Sequence, residues 1–86
     1  MNSIDPLRFI VQLYASSVAA AEILSHFATR QRNRRTETVR RLKQVCGNGT
    51  TRQAVIAVLR QLESHGFGTF VTGRRGHESR FIWNEV

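Results

Sequence analysis

The chain has 86 residues, enough for one domain with a single modest core and no need of a disulfide or structural metal. Its 13 Lys and Arg against 6 acids give a formal charge of +7, a balance that points to an anionic partner. Six scattered acids, one cysteine and three dispersed histidines supply no acid–base pair, no activated nucleophile and no metal cluster, so the expectation is a binding protein, not an enzyme, with no cofactor, metal or small-molecule ligand.

Asp5-Pro6 is a helix start, an oxygen-bearing cap followed by proline at the first helical position. Leu7, Ile10, Val11, Tyr14, Val18, Ala21, Leu24 and Ala28 recur at helical spacing, and Phe9, Leu13, Ile23 and Phe27 widen the apolar surface. A helix apolar on so many sides buries more than one face. Ser16-Ser17 can cap a second helix, so the segment reads as one long helix or two. Asp5 and Pro6 before the apolar run, and Gln12, Ser16 and Ser17 within it, argue against a secretory signal. The uncharged run at residues 9–21 is too short to span a membrane.

The cationic stretch TRQRNRR reads as a helix end and a connection. ETVRRLKQVCG then gives a short helix with Val39, Leu42, Val45 and Cys46 on its core side. GNGT is turn chemistry. Thr50 and Gln53 have capping-box spacing at the start of TTRQAVIAVLRQLESHG, and Gly66 supplies the stop. Val55, Val58, Leu59 and Leu62 form the apolar face of this helix, with Gln53, Ala57, Arg60 and Ser64 opposite and Ile56 at the margin. GFGTFVTG and SRFIW switch to a period of two and flank the charged centre RRGHE, which reads as a hairpin. Phe81 and Trp83 share its buried face, while Gly73 and Gly76 permit positive φ at the tip. The three histidines read as surface or cap residues.

This order, carried by VRRLKQVCGNGTTRQAVIAVLRQLESHGFGTFVTGRRGHESRFIW, resembles the winged helix-turn-helix family over roughly residues 18–84. The resemblance implies an α+β, mostly α fold: a three-helix core and a C-terminal β-hairpin wing, with an additional N-terminal helical segment. In this chain it assigns residues 5–17 to the extension, 38–65 to the helix-turn-helix and 67–84 to the wing. The family also has a small strand before its second helix, for which RRTE is the candidate. Its members place the second helix of the motif in the major groove and the wing tip on the DNA backbone or minor groove.

The residues support that placement independently. A helix fits the major groove with its N-terminal side chains at the base edges, and Thr50, Thr51, Arg52 and Gln53 open this one. Gln53 can pair with adenine, Ala57 can meet a thymine methyl, and Arg60 can meet guanine or phosphate. Residues 30–60 carry nine cations against the single acid Glu37, an electrostatic footprint suited to phosphate. Among these, Arg34, Arg35, Arg40, Arg41 and Lys43 are the candidate backbone contacts, joined by Arg74, Arg75, His77 and Arg80 in the wing.

The expected function is sequence-specific binding of double-stranded DNA by a small transcriptional regulator, cytoplasmic and nucleoid-associated when bound. The expected partner besides DNA is a second copy of the chain, with the N-terminal helix as the dimer seam. Two other readings remain. GRRG also matches the GxxG clamp of a KH-type RNA-binding domain, although that motif lies between helices and this one between strand-like residues. The apolar N-terminal helix also suits a protein-interaction module.

Overall fold

The computed structural model describes residues 5–30 and 35–84. Among them the fold is α+β and mostly helical, with four helices and a three-stranded antiparallel sheet. Helix α1 (Pro6–Ser16) starts where Asp5 Oδ1 accepts from the Leu7 amide at 2.9 Å. Ser17, extended, ends it and caps α2 (Val18–Thr29) by accepting from the Ala20 amide at 3.0 Å. The N-terminal segment is therefore two helices, and its apolar residues divide between core and solvent, Leu24 and Ile10 siding with the core. Phe9, Leu13, Ile23 and Phe27 turn inward and are buried, whereas Leu7, Val11, Tyr14 and Val18 stay in solvent.

Strand β1 (Thr36–Thr38) precedes α3 (Val39–Cys46), which Thr38 caps through the Arg41 amide at 3.1 Å. Helix α4 (Arg52–Ser64) follows the glycine turn, then β2 (Gly68–Val71) and β3 (Arg80–Trp83). Of the candidate RRTE, Thr36 and Glu37 lie in β1, which Thr38 completes. The cap of α4 lies one residue later than the capping-box spacing indicates: Thr51, not Thr50, accepts from the Ala54 amide at 3.1 Å. Thr50 is buried beneath the turn, its amide 3.3 Å from the Gly47 carbonyl. Two consecutive threonines compete for one cap, and the one left over packs inside.

The sheet order β1-β3-β2 makes β3 the central strand, with Phe81 opposite Glu37 on one side and Phe70 on the other. Phe81 is fully buried against Phe27 of α2, ring centroids 5.8 Å apart. Trp83 lies 4.6 Å from Phe27 and 6.2 Å from Phe67, and Phe67 lies 5.6 Å from Phe9. This chain of rings joins α1, α2 and the hairpin in one core, which Leu42, Val55, Leu59 and Leu62 complete from α3 and α4. Cys46 packs at its edge, and burial, aided by Glu22, pushes its thiol pKa up, so it stays a neutral packing group.

Opposite Phe81, Glu37 faces the core and is buried, where a lone carboxylate would be costly. His26 of α2 meets it at 2.8 Å. His26 is thus an internal partner, not the surface or cap residue its isolation in the sequence suggests. At the hairpin tip, Gly76 has φ +72°, next to the 2.7 Å His77 to Arg74 turn bond. Gly73 lacks positive φ and is needed for a different reason. A Cβ there would strike the backbone of His77, Glu78 and Ser79 on the returning limb. We expect Gly73→Ala to open the loop, read as lost hydrogen-exchange protection at the residue 73 amide, from which Ser79 Oγ accepts, with protection at Phe81 and helical circular dichroism largely kept. Unchanged protection at residue 73 would show that the close approach is dispensable.

Candidate nucleic-acid interface

Three chain segments meet at one end of the molecule: the start of α3, the start of α4 and the β2–β3 loop. The returning limb fixes the meeting point, since the Ser79 carbonyl accepts from the Val39 amide at 2.9 Å. The buried Ser79 hydroxyl also accepts from the Gly73 amide at 2.8 Å, closing the loop on itself. Glu78, next in the chain, therefore lies between the two helix starts. Its Oε1 is 2.8 Å from Arg52 Nη1 and its Oε2 is 3.6 Å from Arg40 Nη2. The Arg52 hydrogen bond, with added attraction from Arg52 and Arg40, holds the Glu78 carboxyl below the usual carboxylate range.

This arrangement gathers Arg40 and Arg52 with the loop residues Arg74, Arg75 and His77, the last three exposed. Arg74, His77 and Arg80 also line a cleft of about 220 Å³ with Val71, Thr72 and Gly73. On α4, Thr51, Arg52, Gln53 and Ala57 are exposed, whereas Ile56 packs against the core and leaves that face. The outer surface of the first two turns is thus short, uncharged beyond Arg52, and open to close approach. The N–H groups there add partial positive charge from the helix dipole.

The remaining candidates fall differently. Arg41 is exposed at the start of α3. Lys43 is half-buried, with its ammonium 3.5 Å from the Gly47 carbonyl, so it closes the α3–α4 turn. Thr50 is largely buried and adds little surface beside the exposed residues of α4. Arg60 lies roughly 12 Å further along the helix than Arg52. Its guanidinium sits over the Phe70 ring at 4.5 Å and pairs with Glu63 at 3.2 Å. Glu63 in turn accepts from the Phe70 amide at 3.0 Å, covering the free edge of β2. Arg60 belongs to this seam between α4 and the sheet.

Arg35 lies at the other end of β1 from Thr38, its Nε 3.2 Å from the Trp83 carbonyl and its own carbonyl 2.7 Å from the Trp83 amide. It fastens β1 to β3 away from the three-segment meeting point. Arg34 is outside the described residues. Sequence reasoning missed Glu78. Its single signal there is an acid inside a cationic loop, and only the register of β3 brings it beside α3 and α4.

Scanned against protein-family models, curated proteins and solved structures, the chain matches none of them. Among the described residues no helix is long and apolar enough to cross a membrane.

Proposed function

We propose that the chain is a winged helix-turn-helix domain that binds double-stranded DNA sequence-specifically, as a small transcriptional regulator working as a homodimer. The observation that carries this reading is the convergence of the α3 start, the α4 start and the β2–β3 loop, all cationic, on one side of the fold. α4 enters the major groove by its N-terminal turns. Gln53 and Ala57 read base edges, and Arg52 reaches base or phosphate. The hairpin is the wing, and Arg74, Arg75 and His77 meet phosphates at the backbone or minor groove. Glu37, turned into the core with His26, takes little of the field that attracts DNA.

The exposed stripe on the N-terminal helices supports the dimer. Leu7, Val11, Tyr14 and Val18 are 71, 60, 51 and 72% exposed, and the first three share one face of α1. Together they offer roughly 400 Å² of apolar surface, about half of what one partner gives a standard interface. Phe9 stacks on His65 at 3.6 Å, which holds α1 at the C-terminal end of α4. A seam there leaves both DNA-facing ends clear. The same stripe also suits a protein-interaction module, whose signature is a stable heterologous complex without retention on DNA. A KH clamp fits less well, because β2 and β3 flank GRRG.

Gln53→Ala should weaken binding to a duplex selected from random sequence by ~1–3 kcal/mol and relax preference at one position. Arg75→Ala should weaken binding to every duplex alike and reduce the log–log salt slope by about one. Titration at several salt concentrations reads both. Tight binding to matched RNA, with duplex held only at low salt, would overturn the DNA reading. For the dimer, sedimentation velocity of Val11→Asp should give a monomer where the parent chain is a dimer. A monomeric parent at micromolar concentration would remove the seam.

A further inference from the structure

Glu78 is a loop carboxylate enclosed by two guanidiniums from two different helices. Each of its oxygens faces a different arginine, Oε1 towards Arg52 and Oε2 towards Arg40. Paired oxyanions held by separate guanidiniums are also how a phosphodiester presents its two unesterified oxygens. The site is built from the backbone outward. Ser79 is buried, bonded by its carbonyl to the Val39 amide and by its hydroxyl to the Gly73 amide, so the Glu78 backbone is held in place. The two cations are open to solvent, their side chains 75% exposed for Arg40 and 49% for Arg52. The first turn of α4, capped by Thr51, adds its dipole to the same spot.

We propose that the Arg40–Arg52 fork is a phosphodiester-binding site and that Glu78 is its internal occupant, displaced when a backbone phosphate docks. The ligand's identity as DNA rests on the reading above; the anion site itself does not. Exposed ion pairs are individually weak, so a phosphate within a polyanion, drawn in also by Arg74 and Arg75, can take over the fork. The Glu78 side chain then rotates into solvent while its backbone stays bonded through Ser79. In the unliganded chain the carboxylate neutralises part of the cationic surface. Glu78 thereby lowers affinity for duplex of any sequence, and binding depends more on the contacts made by the outer face of α4.

The test compares the full chain with Glu78→Gln, which keeps the side-chain shape and removes the charge. One probe is a mixed-sequence duplex titrated at several salt concentrations. The other is inorganic phosphate, followed through the arginine Nε–H resonances. Glu78→Gln should bind the duplex several-fold more tightly at low salt, with a log–log salt slope steeper by about one. Phosphate should shift the Arg40 and Arg52 resonances of this variant saturably, and Arg52→Ala in the same background should reverse both gains. Duplex affinity equal to or below that of the parent, with no phosphate shift, would overturn the site and leave the DNA reading standing. Saturable phosphate shifts in a protein that binds no duplex would sink the DNA reading and keep the anion site.

Discussion

The fold is organised by one strand with no free edge. β3 bonds to β1 on one side and β2 on the other, so its short run of four residues has partners in both directions. It also carries Phe81, the largest fully buried side chain, into the layer of helices. Gly68 exists for that ring: a Cβ there would run into Phe81 and the Ile82 carbonyl. Because β1 leads directly into α3 and β2 follows α4, fixing β3 fixes both helices relative to the hairpin. The aromatic chain Phe9–Phe67–Trp83–Phe27 then draws in the N-terminal helices. Loss of the packing at Phe81 would release all of these together.

The same strand arranges the charge. Its register places Glu37 on the core side opposite Phe81, where His26 satisfies it, and brings Glu78 out between Arg40 and Arg52. One acid is thereby withdrawn from the cationic surface and another is set in the middle of it. Arg60 and Lys43, both cationic at nominally favourable positions, are engaged in joining elements: Arg60 over Phe70 and Lys43 at the Gly47 carbonyl. Among the described residues, Arg40, Arg52 and the exposed loop residues Arg74, Arg75 and His77 remain around the meeting point of α3, α4 and the hairpin.

Local chemistry made much of this legible in the sequence. Asp5-Pro6, Ser17 and Gly66 mark helix ends through side-chain oxygens and backbone freedom that act within a few residues, and all three serve there. The switch of period after Gly66 located the hairpin for the same reason. Features that depend on distant partners were not legible. TET has too few residues for alternation to register and becomes a strand only because β3 offers an open edge. Thr50 and Thr51 have equal capping chemistry, so the choice between them falls to packing beneath the turn. The separation of Leu7, Val11 and Tyr14 from Phe9 and Leu13 required knowing which side of α1 faces α2. Glu78 and Arg35 gained their roles from partners 26 and 48 residues away.

The central claim is that the α4 start and the hairpin loop form one surface for duplex DNA. Amide chemical-shift mapping of the full chain with a selected duplex at physiological salt tests it most directly. The account predicts shifts concentrated at residues 51–57 and 74–78, with the outer face of α1 quiet. Shifts concentrated at residues 7–18, or none at any duplex concentration, would contradict it.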